Sequence, residues 1–227
     1  MTRDPGAAAA VRLPARQNLA DDIHEALKAM VMDHAIAPGE RMNVYALSRQ
    51  LGVSQTPLRE ALARLEADGL VVKASLRGYF VAPLISRTEF EDLFEFRLLI
   101  EPWSAARAAE RCGPEEHDEL RAELASCTDV PDGGEYAAYK AVAAHDHRFH
   151  TLVARLSGNV NMPSTFERTN CHLHIFRLFY QTYVGTAAIE EHNAVTDAIV
   201  AGDPDAAAAA MRHHIESSRT RLRDAFN

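Results

Sequence analysis

The chain lacks the marks of a secreted or membrane protein. No run of about 18 consecutive apolar residues occurs, which excludes a membrane-spanning helix. Cysteine is scarce: Cys112, Cys127 and Cys171 are odd in number, far apart and without a C-x-x-C pair. That excludes a disulfide framework and a zinc knuckle, and it predicts reduced thiols. The amino-terminal alanine run, set among Arg3, Arg12 and Arg16, is too short and too weakly apolar for a signal-peptide core. The expected location is therefore the cytoplasm, with no membrane partner. What is present suits a folded, soluble protein: 47% of residues are hydrophobic and 25% charged, too apolar for disorder. At 227 residues the chain is one large domain or two smaller ones, and a break in composition decides for two.

Charge supplies that break. The net charge is −8, yet residues 1–16 carry three basic side chains against one acidic. Residues 17–84 carry seven against eight, and residues 85–227 carry fourteen against twenty-three. Within the middle segment Arg49, Arg59, Arg64, Lys73 and Arg77 are bunched. A local basic surface on an acidic protein suits a small DNA-contacting unit carried on something else, although ordinary surface charge gives the same count. Histidine is uneven too, with nine of eleven after position 116. The expected division is a flexible tail at 1–16, one domain at 17–84 and another at 85–227.

In the first domain Leu19, Ile23, Ala26, Leu27, Met30 and Val31 recur at helical spacing, and Ala37-Pro38-Gly39 ends that helix. A second stripe at Val44, Leu47 and Leu51 meets Gly52-Val53-Ser54, and a third runs Leu58, Ala61, Leu62, Leu65 to Asp68-Gly69. Two short helices across a glycine turn make a helix-turn-helix, with Ser54 as N-cap and Pro57 in the first turn of the second helix. Leu70–Lys73 and Tyr79–Val81 are β-prone runs joined by Ala74-Ser75-Leu76-Arg77-Gly78, a hairpin with a basic tip. This order is that of a winged helix, in which a helix fits the major groove and a basic loop reaches the backbone or minor groove.

The string from Leu47, L-x-x-x-L-G-V-S-x-T-P-L-R-E-A-L-x-R-L-x-x-D-G-L-V, followed by R-G-Y-F-V to Val81, resembles the GntR family of bacterial transcription regulators. The resemblance implies that the helix beginning near Gln55 enters the major groove of double-stranded operator DNA and that Arg77-Gly78 forms the wing tip. Carried over position by position, the contacts are Arg49, Ser54, Gln55, Thr56, Arg59, Arg77 and Gly78. Many relatives have arginine where this chain has Gln55; glutamine favours adenine and arginine guanine, so the operator sequence cannot be borrowed from them. Arg64 is either a phosphate contact or the partner of Glu60 or Asp68.

After Pro83-Leu84-Ile85 no strand pattern recurs, and Ser86 can cap a helix from about 87. Apolar residues keep helical spacing at Phe90, Leu93, Phe94 and Leu98, at Leu120 and Leu124, and at Phe149, Leu152, Val153 and Leu156. Turn signals at 113–114, 131–134, 157–159 and 202–204 divide the segment into about six helices, an antiparallel bundle. The expected fold is mainly α: a winged helix-turn-helix with a small β-hairpin, then an all-α helical bundle.

Asp146 and His150 stand four apart, on one helix face. His192 lies on the stripe of Val195, Thr196 and Ile199, and His214 on that of Ala207, Met211 and Ile215. One carboxylate and three imidazoles turned inward call for a shared partner, since a buried unpaired polar group is costly. A divalent metal serves, and this donor set suits Zn, Ni, Mn or Fe better than Ca or Mg. By spacing alone the same residues can be satisfied core polar groups, and His145, His147, His172, His174 and His213 compete as ligands.

Phe96-Arg97-x-x-x-Glu101, Asp146-x-x-Phe149-His150, Ser157-Gly158-Asn159, Glu191-His192, Ala198-Ile199-x-Ala201-Gly202-Asp203 and Met211-x-x-His214 resemble the FCD ligand-sensing domain that follows GntR winged helices, in its shorter six-helix form. The resemblance implies one divalent transition metal per chain, zinc foremost, on Asp146, His150, His192 and His214. It also implies a small carboxylate effector at the metal's open positions and a homodimer. Arg97 is the candidate guanidinium for that carboxylate, against a plain i,i+4 pair with Glu101. His172 and Arg177 are further candidates to line the pocket. The expected function is a ligand-responsive DNA-binding regulator and not an enzyme. The alternatives are a metal-dependent helical enzyme with a DNA-binding appendage and a direct metal sensor.

Overall fold

The computed structural model describes residues 16–127, 135–178 and 185–226. Outside them lie the expected tail, except Arg16, and the turn at 131–134. Helix α1 (Arg16–Met32) turns Ile23, Leu27 and Val31 inward at the spacing that put them on one stripe, and leaves Leu19 half-exposed. A two-residue strand β1 (Arg41–Met42) follows, too short to show an alternating pattern in the sequence. Helix α2 (Val44–Leu51) starts at Asn43, whose side-chain oxygen accepts from the backbone N–H of Tyr45 and Ala46. It ends at Gly52, whose φ of 65° is left-handed and suits glycine. Helix α3 (Gln55–Ala67) begins after Ser54. Ser54 holds the expected N-cap position in extended backbone, but its hydroxyl makes no capping bond.

Strands β2 (Val71–Ala74) and β3 (Gly78–Val81) form the expected hairpin, with Val71 opposite Val81 and Ala74 opposite Gly78. Strand β1 pairs with the other edge of β3, giving an antiparallel sheet of order β1-β3-β2.

Ser86 opens the helical part with a capping box: Glu89 N–H donates to its hydroxyl at 3.2 Å, and its own N–H donates to the Glu89 carboxylate at 2.7 Å. The helices are α4 (Arg87–Arg111), α5 (Pro114–Ala125), α6 (Tyr136–Leu156), α7 (Met162–Glu167), α8 (Cys171–Leu178), α9 (Gly185–Val200) and α10 (Pro204–Leu222). A 3-10 turn (Arg223–Phe226) follows the last of them. Helix α10 packs on α4 and α9, and α4 packs on α6. Helices α7 and α8 are separated by a short turn, with Asn170 in it at a left-handed φ of 45° that asparagine tolerates. No helix among the described residues is long and apolar enough to cross a membrane.

Two apolar clusters result. The first joins α1, α2, α3 and the sheet, and it takes in Tyr136, Tyr139 and Ala143 of α6 and Leu173 of α8. The second lies inside the bundle around Phe90, Phe94, Phe149, Val153, Val195, Ile199, Met211 and Ile215. Helix α6 therefore begins in one core and ends in the other, with Asp146 between its two apolar stretches and His150 at the start of the second. Polar bonds fasten the junction. Tyr136 N–H donates to Asp33 at 2.5 Å, Arg177 Nη2 to the Ala82 carbonyl at 2.6 Å, and His34 Nε2 to the Arg177 carbonyl at 3.0 Å.

Candidate functional site

Asp146 and His150 project from one face of α6, His192 from α9 and His214 from α10, and the structure brings all four together. One possible ligand atom from each lies within 4.8 Å of the others. The three imidazoles are buried, and Asp146 is partly exposed. Asp146 Oδ1 is 3.7 Å from His150 Nε2 and 3.8 Å from His192 Nε2, while the Nε2 atoms of His150 and His214 are 3.2 Å apart. The ring of His192 stacks on Phe149 with centroids 4.0 Å apart.

Each imidazole is occupied on its other nitrogen. His150 Nδ1 faces the Glu101 carboxylate, and His214 Nδ1 donates to Glu191 at 2.8 Å. His192 Nδ1 lies 3.1 Å from His145 Nε2, and His145 Nδ1 lies 2.9 Å from Glu123. With Nδ1 engaged outward, Nε2 is the nitrogen left to face the centre. Buried His192 Nε2 has no hydrogen-bond partner, which is the orphan that a metal would satisfy. Burial, followed by the imidazoles of His214 and His150, pushes the His192 pKa well below the usual histidine range. Burial also lowers that of His214, although Glu191 opposes it. Neutral imidazoles and a carboxylate are the form in which these groups bind a divalent transition ion, so the residues fit one.

The outer carboxylates are charged and braced. Burial opposes ionisation of Glu101, but Arg97 and His150 hold its pKa at about 2. Burial likewise opposes Glu191, and Arg221 and His214 bring its pKa to about 2. Arg221 grips Glu191 through Nη1 at 2.5 Å and Nη2 at 2.8 Å.

Arg97 is buried and makes the i,i+4 pair, its Nε donating to Glu101 at 2.5 Å. Its Nη2 also reaches His150 Nε2 at 3.3 Å, so the guanidinium faces the quartet as well. His172 stacks on His147 with centroids 4.1 Å apart, and burial and that neighbour push its pKa to about 2. Arg177 is buried at the junction, bonded to Ala82 and approached by His34, so its contacts there are with the winged helix. Cys171 is buried, and burial raises its thiol to about 11, so it stays protonated.

On the winged helix Arg49, Ser54, Gln55, Thr56 and Arg59 are exposed around the start of α3, and Leu58, Ala61, Leu62 and Leu65 fill its inner face. Arg77 is exposed on the hairpin loop, its guanidinium 5.5 Å from the Phe80 ring centroid. Beside it Gly78 has a φ of 96°, a conformation that favours glycine. Arg64 pairs with Asp21 of α1, and with neither Glu60 nor Asp68; Asp68 is held by His24 at 2.9 Å.

The family described as FCD domain matches residues 92–217, and the bacterial regulatory proteins of the gntR family match residues 19–81. The chain belongs to the GntR family. It is 30% identical over 187 residues to the Nta operon transcriptional regulator of Aminobacter aminovorans, spanning 82% of this chain and 86% of that one. It is 28% identical over 197 residues to the HTH-type transcriptional repressor GlaR of Escherichia coli, spanning 83% and 89%. The solved structure of E. coli McbR/YncC shares the fold, with a TM-score of 0.67 at 20% identity over 92% of this chain and 99% of that one. As a GntR-family protein with an FCD domain, the chain is a DNA-binding transcription regulator and not an enzyme.

In this GntR-family chain the sequence reading missed several residues of both surfaces. Arg41 is exposed, and a Cβ on Gly78 would lie 3.9 Å from its guanidinium, so a further cation flanks the wing. Register with β3 was its signal, and β1 was too short to announce it. Glu123, Glu191 and His145 were not singled out as partners of the histidines. Only Glu101, four residues after Arg97, carried a signal in its spacing.

Proposed function

We propose that this regulator holds one divalent transition metal on Asp146, His150, His192 and His214, and that a small carboxylate effector at that metal controls operator binding. The observation that carries the reading is the convergence of the quartet with every imidazole Nδ1 engaged outward. Zinc suits the donor set best, and Ni, Mn or Fe fit it too. Such an ion supplies an electrophilic centre with one or two open positions. Glu101 and Glu191 are already balanced by Arg97 and Arg221, so a divalent ion with Asp146 leaves a positive centre. That charge favours an anionic ligand, and the Arg97 Nη2 beside His150 adds a donor for its carboxylate.

The winged helix would read double-stranded operator DNA with Arg49, Ser54, Gln55, Thr56 and Arg59 at α3 and with Arg77 and Gly78 at the wing, Arg41 adding charge there. Two wings on a two-fold operator require a homodimer in the cytoplasm. Leu99 and Trp103, a turn apart on α4 and 77% and 42% exposed, support a second copy packing there. Helix α6 carries two ligands and also enters the winged-helix core, which supports it as the element through which effector binding biases the wings.

The test is operator binding by fluorescence anisotropy across a panel of small carboxylic acids, with metal-loaded and chelated protein. The expected result is that one acid class changes operator affinity at least tenfold in the loaded protein alone. An acid response that survives chelation overturns the metal as the effector site.

A further inference from the structure

The three imidazoles of the quartet are not held alike. Those of His150 and His214 meet carboxylates directly, and each carboxylate is bonded to a guanidinium, Glu101 to Arg97 and Glu191 to Arg221. His192 meets a second imidazole instead. Its Nδ1 is 3.1 Å from His145 Nε2, and His145 Nδ1 is 2.9 Å from Glu123 Oε1. Arg148 holds Glu123 from the other side, through Nε at 3.0 and 3.2 Å and Nη2 at 2.9 Å. This arm runs outward across α6 to α5, and it ends where Glu123 and Arg148 line an open cleft of about 540 Å³.

The chemistry of the chain sets the tautomers of its neutral form. An ionised carboxylate only accepts, so His145 Nδ1 carries the hydrogen and donates to Glu123. In neutral His145 the Nε2 is then bare and accepts, so His192 Nδ1 carries the hydrogen. His192 Nε2 is thereby left with a lone pair facing the quartet, and it is buried without a hydrogen-bond partner. His145 is itself fully buried, its ring centroid 6.0 Å from that of Phe149. An aromatic ring alone would have served that packing; a second imidazole adds an acceptor for His192 and a donor for Glu123.

We infer that His145 and Glu123 are the positioning pair of His192, setting the tautomer and ring angle with which it offers Nε2 to the metal. The inference rests on the metal reading proposed above. It makes metal affinity depend on a carboxylate that lines an open cleft, whereas the carboxylate of His150 is sealed in the core.

The experiment measures zinc affinity of the full-length protein by chelator competition, and the absorption spectrum of the cobalt(II)-loaded form. The variants are Glu123→Gln, His145→Phe and His145→Gln, with Glu119→Gln as a control that breaks the Arg155 pair in the same cleft. Glu123→Gln and His145→Phe are expected to weaken zinc binding by about 10- to 100-fold, the usual cost of losing an outer partner, and to shift the cobalt spectrum. Glu119→Gln should change neither. His145→Gln keeps an amide oxygen for His192 Nδ1 and should bind zinc more tightly than His145→Phe. A packing role predicts the reverse order, because phenylalanine preserves the ring beside Phe149. Glu123 lies at the rim, so Glu123→Gln carries the test if the buried substitutions fail to fold. Wild-type affinity and spectrum in Glu123→Gln and His145→Phe overturn the positioning pair alone. A wild-type protein that binds neither zinc nor cobalt overturns the metal reading, and this inference with it.

Discussion

In the winged helix, Leu27, Leu58, Leu62 and Leu65 pack as an apolar core, while Arg49, Gln55 and Arg59 stand in solvent. In the bundle, Phe90, Phe149, Met211 and Ile215 form a comparable core, yet Arg97, Glu101, His145, His150, His192 and His214 are buried within the same fold unit. One region keeps its charged side chains outside an apolar interior. The other spends stability on charges and imidazoles that burial disfavours. Substitutions in the first core should therefore change stability without changing function in the folded protein, whereas substitutions in the second should change both.

The largest expected effect lies at the buried ion pair. Glu101→Ala leaves Arg97 charged and uncompensated in the core and should lower unfolding free energy by about 3–5 kcal/mol, measured by denaturant titration. A loss below 1 kcal/mol would mean that the bundle tolerates its charges as readily as a surface does.

Leu62→Ala is the matched experiment in the apolar core. Leu62 is fully buried, and truncation should cost about 2–5 kcal/mol. Metal content and operator affinity, measured well below the unfolding transition, should stay at wild-type values. A change in metal content would break the separation between the regions.

Arg59→Ala tests the outside of the winged helix. Operator binding should weaken by about 1–3 kcal/mol, while unfolding and metal content are unchanged. Unaltered DNA affinity would remove α3 from the major groove.

The smallest effect distinguishes the regions by pH. Burial, with His147 beside it, holds the His172 imidazole neutral down to about 2. In the unfolded chain the group titrates near the ordinary histidine value of about 6.5. The unfolded state then binds the proton first, so stability is complete above that value and falls as pH drops below it. The expected slope is about 1.4 kcal/mol per pH unit for this imidazole in metal-free protein. Denaturant titrations at pH 7 and pH 5.5 on the wild type and on His172→Asn check it, and equal pH slopes in the two would place His172 in water.

The same contrast explains what could be read from the sequence. The proposed DNA contacts Ser54, Gln55, Thr56 and Arg59 are neighbours in the chain, so a local string carried the winged helix and its exposed surface together. The quartet drew on three helices; helical spacing paired Asp146 with His150 and put His192 and His214 on inward stripes, but five other histidines competed and the resemblance to the FCD domain chose among them. Its outer partners could not be read that way. Glu191 meets His214 from 23 residues away, and Glu123 meets His145 from 22, both across helix packings that no period encodes. Arg64 makes the same point in the other region. Its partner is Asp21, 43 positions back, and the near neighbours Glu60 and Asp68 were the wrong places to look. Arg177 was expected to line the effector pocket, but its bond to the Ala82 carbonyl depends on how the two cores meet.

The most direct test of the account is the metal content of the purified protein by elemental analysis, beside that of His192→Ala. The account predicts one divalent transition-metal ion per chain in the wild type and a substoichiometric trace in the variant, with a lower thermal midpoint. A wild-type protein that stays metal-free after incubation with zinc, or a variant that keeps its full complement, would contradict it.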